Sequence, residues 1–404
     1  MVVLATSENI FVVCTEHVLG VNSTKKEHSI IDYCALVATS SAKTTVEANC
    51  SQTVTVDCVS LSLCGKWLVV CYNKSVSLLQ TDRWCVVSVR ELARVSNSVK
   101  FSPSGRHIVV ADRSGNAYMY SAENPEQPGK LLLGHTSMLV DILVTTDEKF
   151  IVTCDRDEKI RVSNFPNAYI IHSFCLGHEK FVSCIAELPH DTSVLVSGSG
   201  DGTIRFWDFC SGAEIYFVGD DFSKEAVLLG DQQVELVNSA IQSCEAGSCG
   251  EVEVLPVRCF NWFKKDANSS VGCVCVGGLS CCFVFCASGR KDILSVRMIQ
   301  KISLQSEPWI ASFSGSGVLW VLQKVEGKTA CAFAQNTSTS NFEENCGLDS
   351  ESEYILSTIN SKWEFFSDQE SPKVLSILYK RMFDDVQEYK DRKKARLDSK
   401  IKNM

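Results

Sequence analysis

An all-β ring of small sheets, a β-propeller of about seven blades, is the fold this sequence predicts. Two observations carry the prediction. Between residues 131 and 209 the chain reads twice through one unit, first LLLGHTSMLVDILVTTDEKFIVTCDRDEKIRVSNF and then LGHEKFVSCIAELPHDTSVLVSGSGDGTIRFWDF. Gly134-His135 returns as Gly177-His178, and 151–165 returns as 195–209, about 44 positions on. Each copy is a set of short apolar runs split by turn residues, a sheet that cannot bury both of its own faces, so copies must stack and close on one another. Length agrees: 404 residues hold one ring at ~40–45 residues per blade, plus a tail.

The second copy closes on Trp207-Asp208, and a Gly-His to Trp-Asp unit of this period marks the WD40 blade. In a well-formed blade a His, a Ser or Thr, an Asp and a Trp hydrogen-bond in a row and lock turn to strand. The second copy supplies His178, Ser197, Asp201 and Trp207. The first supplies His135, Thr153 and Asp157, with Ser163 where the Trp belongs. These side chains carry stability, and a histidine so placed reads as a structural partner, not a catalyst.

Elsewhere the pattern is weaker. Residues 1–50 hold two strand-like runs, IFVVC and IIDYCALVAT, expected to complete the last blade and close the ring. From residue 54 come three strands with turns near Cys64-Gly65 and Asn73-Lys74, then three more split by Pro-Ser-Gly and Arg-Ser-Gly. The clearest blades span 96–212. Residues 219–251 are irregular and read as an insertion loop. The runs 254–260, 272–285, 310–322 and 330–334 give two further blades, and 354–366 is expected to add to the last one. The propeller therefore covers 1–370. From 371 to 404 the texture changes: Leu375, Leu378, Met382, Phe383, Val386 and Tyr389 recur at spacings of three and four, one face of an amphipathic helix with a basic end.

Composition narrows the function. The formal charge is −9, which repels phosphate on average, so contact with nucleic acid needs a local basic patch. The 21 cysteines sit mostly among Val, Leu and Phe, as Cys71, Cys154, Cys184 and Cys275 do, and read as small buried hydrophobes of a reducing compartment. The N-terminus has no basic leader pattern, so no signal peptide is expected. The most membrane-like window, 271–287, is broken by Gly277-Gly278 and reads as two buried strands around a turn.

No catalytic constellation emerges. Ser197-Gly-Ser-Gly-Asp-Gly is a strand-turn-strand junction, not GxGxxG ahead of a helix, and no Walker loop, HExxH or GxSxG is present. Cys273-x-Cys275 and Cys281-Cys282 lack the paired spacing of a zinc site. One turn is unusual. Where the second copy has Ser-Gly-Asp-Gly-Thr-Ile-Arg205, the first has Asp155-Arg-Asp-Glu-Lys-Ile-Arg161, with charges where small residues are the ordinary choice. Exposed ion pairs contribute little to stability, but an Arg–carboxylate pair desolvated at an interface fixes register and partner.

The first copy, with SFCLGHEKFVS and LVSGSGDGTIRFWD after it, closely resembles the WD-repeat non-catalytic subunit of eukaryotic tRNA (guanine-N7-)-methyltransferase, the wuho family; Cys154 stands where that family usually has Ala. The resemblance is dense over 129–212 and returns in LSILYKRMFDDVQEYKDRKKARL of the tail. It implies an accessory role in forming N7-methylguanosine in the tRNA variable loop, in the nucleus, with the cytoplasm as the alternative compartment. The catalytic partner would bind S-adenosylmethionine, and this chain would need no cofactor or metal. The resemblance places Asp157, Glu158, Lys159 and Arg161 against the partner, with Arg161 meeting a carboxylate. It places Lys390, Lys393, Lys394 and Arg396 near tRNA phosphate, with Arg113 a weaker candidate. The alternative is a general WD40 scaffold, such as a ubiquitin-ligase substrate receptor or a genome-maintenance adaptor.

Overall fold

The computed structural model describes residues 2–5, 9–13, 17–22, 25–32, 56–219, 254–336, 338–367 and 378. Its strands form seven four-stranded antiparallel sheets. Blade one is β1 to β4 (Val2–Ala5, Asn9–Val13, His17–Asn22, Glu27–Asp32). Blade two is β5 to β8 (Val56–Leu61, Trp67–Tyr72, Ser75–Gln80, Cys85–Glu91). Blade three is β9 to β12 (Ser96–Phe101, His107–Asp112, Asn116–Ser121, Lys130–Gly134). Blade four is β13 to β16 (Leu139–Val144, Phe150–Asp155, Ile160–Asn164, Ile171–Cys175). Blade five is β17 to β20 (Val182–Leu188, Asp191–Ser199, Ile204–Asp208, Ala213–Val218). Blade six is β21 to β24 (Val257–Lys264, Ser269–Val276, Cys281–Ser288, Ser295–Ser303). Blade seven is β25 to β28 (Pro308–Phe313, Leu319–Gln323, Ala330–Gln335, Phe342–Glu344).

The first strand of each blade touches the first strand of the next, and β25 returns to β1. The ring is closed. Its core lies between blades, because each sheet is apolar on both faces. Val152, Cys154, Ile160 and Val162 of blade four face Leu195 and Trp207 of blade five. Ile151, on the opposite face, meets Val109, Ala111 and Ala117 of blade three. At roughly 1.5–3 kcal/mol for each large side chain removed from water, these seams hold the ring.

Two expectations are corrected. The N-terminal strands do not complete the last blade: 2–32 pairs as a sheet of its own, β1-β2-β3-β4, so the His135 and His178 copies become blades four and five. Nor is 354–366 strand. It lies in two helices, α1 (Ser350–Asn360) and α2 (Trp363–Phe366). Asp349 starts α1 by accepting the Ser352 main-chain N–H at 2.7 Å. Ile355, Ile359 and Phe366 then seal the seam between blades seven and one, against Leu19, Val21, Trp309 and Trp320. Ile355 and Ile359, four apart, share one face of α1, and Phe366 joins them from α2.

The window 271–287 does form two buried strands, β22 and β23, turning at Gly278 with φ +79°. Among the described residues no helix is long and apolar enough to cross a membrane. Residues 220–251 of the expected insertion at 219–251 and the basic residues Lys390, Lys393, Lys394 and Arg396 lie outside the described residues. Within the tail, Leu378 is 3 % exposed and belongs to the core between blades four and five. Leu378 thus meets the propeller.

Candidate partner interface on blade four

The turn lock is complete in blade five. His178 Nδ1 lies 2.9 Å from Asp201 Oδ2, its Nε2 lies 2.8 Å from Ser197 Oγ, and Trp207 Nε1 donates to Ser197 Oγ at 2.8 Å. A tryptophan only donates and a carboxylate only accepts, so the donors run Trp207 to Ser197 to His178 to Asp201. Burial opposes charge on Asp201, but hydrogen bonds from His178, Thr203 and the Glu179 main chain hold its carboxyl well below the usual range. Nothing in this row is free to do chemistry.

Blade four solves the same problem differently. His135 Nε2 lies 2.9 Å from Thr153 Oγ1, as the repeat predicts, but Nδ1 meets Asp155 Oδ2 at 2.9 Å. Asp155, not Asp157, is the acid of this row. It stands two residues beyond Thr153 on the same face of β14, is almost fully buried, and accepts the main-chain N–H groups of Asp157 and Lys159 at 2.9 and 3.0 Å. One buried carboxylate therefore fixes histidine and turn together, and Asp157, half-buried in the turn, is not the acid that meets His135.

The apex of that turn is Glu158, at φ +67°. The same turn carries Gly115 (φ +93°) in blade three and Gly202 (φ +77°) in blade five. A side chain in this region costs about 1 kcal/mol relative to ordinary backbone, so blade four keeps a charged residue where its neighbours keep glycine.

Arg161 follows on β15, with Thr153 as its partner on β14 and Phe174 on β16. Its Nε donates to Ser163 Oγ at 3.2 Å and its Nη1 to the Gly134 carbonyl at 3.0 Å, bridging to blade three. Ser163 thus occupies the tryptophan position as an acceptor for Arg161. Arg205 is the equivalent residue of blade five, and there Glu214 lies across the ion pair and Phe217 lies under the guanidinium, 5.8 Å from ring centre. Glu214 is the β20 partner of Trp207; the β16 partner of Ser163 is Ile171. Both pairings follow a bulge at the same point of the sheet. Blade four therefore puts isoleucine where blade five puts the counter-ion. Among the described residues no carboxylate forms an ion pair with Arg161, although burial works against its charge, with Asp155 pulling the other way.

Of the other expected contacts, Arg113 is exposed in the matching turn of blade three and donates Nε to Asn97 Oδ1 at 3.0 Å. It lies beside Asp57 of blade two, whose carboxyl burial pushes up to about 6 against the pull of Arg113. The ring's cavity of 1190 Å³ is bordered by Ser62 to Lys66 and Pro103, in the turns that follow first strands. Charged turns join second to third strands, so that cavity opens on the opposite face. Among the described residues no group of His, Cys, Asp and Glu could hold a metal ion.

The sequence also matches known proteins. Residues 119–300 match the family described as the tRNA methyltransferase TRM82 WD40 domain. The tRNA (guanine-N(7)-)-methyltransferase non-catalytic subunit wdr4 of Xenopus laevis is 35 % identical over 333 residues, 81 % of this chain and 76 % of that one. The chain belongs to this family of WD-repeat non-catalytic methyltransferase subunits. The wuho subunit of Culex quinquefasciatus is 32 % identical over 82 % of this chain and 73 % of its own. The Homo sapiens WDR4 subunit is 36 % identical over 62 % of this chain and 55 % of its own. Among solved structures the RRP9 WD40 repeats share the fold, with a TM-score of 0.58 at 14 % identity over 79 % of this chain and 85 % of that one. The TRM82-type match contains blades four and five whole, including the charged turn and Arg161. Reading the sequence missed two features in it: the acid role of Asp155, and Ile171 in place of a counter-ion.

Proposed function

We propose that this chain is the accessory subunit of a tRNA (guanine-N7-)-methyltransferase, forming a heterodimer with the catalytic subunit and helping to seat tRNA. The observation that carries the docking site is Arg161. Its equivalent in blade five is neutralised within its own blade by Glu214, while Arg161 has no carboxylate partner among the described residues. A guanidinium half-removed from water and held by two fixed acceptors is preorganised for a carboxylate from outside. Asp157, Glu158 and Lys159 beside it set register. The family name of the relatives supports the role, and the methyl donor belongs to the catalytic subunit, whose chemistry this chain does not share. The basic tail residues Lys390, Lys393, Lys394 and Arg396, with exposed Arg113, supply positive charge for tRNA phosphate on an otherwise acidic protein, and the complex works in the nucleus.

The test is methyl transfer to tRNA by the catalytic subunit alone, with this chain, and with Arg161→Glu. Wild type raises activity. Arg161→Glu loses the gain and weakens assembly by about thirtyfold or more, the scale for one broken buried charge pair, while its melting temperature stays near wild type. Full assembly by a folded Arg161→Glu chain would refute the docking site. No gain in activity with wild type would turn the reading toward a general scaffold.

A further inference from the structure

Blade four carries more exposed apolar side chains in and beside its outermost strand than the neighbouring blades, of which blade five exposes Tyr216 and Phe217 and blade three Leu131. β16 is the outermost strand of its sheet, and its two faces are unlike. Inward, Cys175 is buried against blade five, and Ser173 Oγ donates to the Phe209 carbonyl of that blade. Outward, where an edge strand normally carries charge, stand Ile171, Phe174 and Leu176, with Tyr169 and Ile170 in the turn before them. Leu176 is 62 % and Tyr169 77 % exposed, and all five are large apolar side chains within eight residues. Phe174 is the cross-strand partner of Arg161, and Ile171 that of Ser163. Their side chains therefore stand on the same face of the sheet as the guanidinium. The strip and Arg161, with which no carboxylate among the described residues forms an ion pair, form one surface.

We infer that this strip is a second half of the docking surface: it seats an apolar face of the catalytic methyltransferase subunit that presents a single carboxylate to Arg161. The inference rests on the accessory-subunit reading above and adds to it the chemistry of the partner's face. Charge complementarity decides the occupant. A neutral lipid surface would bring no carboxylate to Arg161, whereas an acid set among apolar side chains satisfies both at once. The apolar rim excludes water from the ion pair and so strengthens it.

The test measures binding of the catalytic subunit by the full chain in its wild-type form and as Phe174→Ser/Leu176→Ser, Arg161→Glu and Leu63→Ser. Leu63 is 82 % exposed on the opposite face and is the control for loss of an exposed apolar residue. The double variant is expected to bind about tenfold or more weakly, with a melting temperature near wild type and a defect independent of salt. The Arg161→Glu defect shrinks as salt rises. Leu63→Ser binds as wild type. Wild-type and Arg161→Glu behaviour as expected, with the double variant within twofold of wild type, overturns the strip and leaves the accessory role standing. Failure of the wild-type chain to bind overturns both. Self-association of the chain alone, lost in the double variant, also overturns the proposal, by assigning the strip to a second copy.

Discussion

Asp155→Ala and Asp157→Ala, side by side, decide which acid locks blade four. Asp155 is 1 % exposed, and its carboxylate receives three hydrogen bonds of 2.9 to 3.0 Å, from His135 Nδ1 and from two main-chain N–H groups. Alanine leaves a buried imidazole N–H and two turn amides without their acceptor. Bonds to a charged group contribute about 1.5–3 kcal/mol each, and the turn amides regain some water, so the expected loss is about 3–5 kcal/mol. Asp157, half-buried and not bonded to His135, loses less, about 1 kcal/mol. With an unfolding entropy of about 2.1 cal/mol/K per residue, the first variant melts about 4–6 °C below wild type and the second within about 1 °C. The assay is thermal unfolding followed by circular dichroism. If blade four opens ahead of the ring, Asp155→Ala shows instead an early shoulder, which counts as the same result. A large shift for Asp157→Ala with none for Asp155→Ala would refute the assignment.

Two further outcomes follow from burial. The Asp57 carboxyl is raised to about 6 by burial, with the pull of Arg113 opposing, so its unfolded form ionises first and stability falls as pH rises from about 4 to about 6. Asp57→Asn should therefore gain about 1–2 kcal/mol at pH 7.5, allowing for solvent screening, and nothing below pH 4; a gain that persists at pH 3.5 in urea titrations would sink this account. Leu378→Asp places a charge in the core between blades four and five and should cost about 2–3 kcal/mol, read as a melting point lowered by about 2–4 °C; an unchanged melt would mean that the tail does not anchor there.

The ring was legible in the sequence because its strongest copies are adjacent and nearly superimposable, so period alone implied closure. Blade one was not, since its strands carry neither Gly-His nor Trp-Asp and short apolar runs look alike in any blade. The helix at 350–360 was hidden for a related reason: Ile355 and Ile359 sit four apart in a chain of strands, and only the open seam beside Trp309 and Trp320 shows what they cover. Asp157 aligns with Asp201 at the repeat spacing, but Asp155 lies on the same face two residues earlier and reaches His135 first. That choice is made in three dimensions. The strip escaped notice because an alternating run such as Ile171 to Cys175 reads as a half-buried strand until its place at the sheet edge is known.

A repeat protein supplies its own controls, and blade four departs from blade five three times in one place. Glu158 stands in a left-handed turn that glycine fills on either side, Arg161 lacks, among the described residues, the acid that Arg205 has, and the five exposed apolar side chains at β16 exceed the two, Tyr216 and Phe217, that blade five shows on β20. Each departure costs stability or solubility of the order of 1 kcal/mol, and none stabilises the propeller itself. Their convergence on one face is what an assembly surface requires and a solvated turn does not. The decisive variant is Ile171→Glu, which restores to blade four the counter-ion position of blade five across an equivalent bulge. It should leave stability unchanged or raise it by up to about 1 kcal/mol, as an added exposed ion pair does. It should also abolish binding of the catalytic subunit, because Arg161 is then satisfied from within and a charge stands in the strip. A variant that folds better and assembles worse separates the two roles of this blade. Unimpaired assembly of a well-folded Ile171→Glu chain would show that the missing counter-ion has nothing to do with the partner.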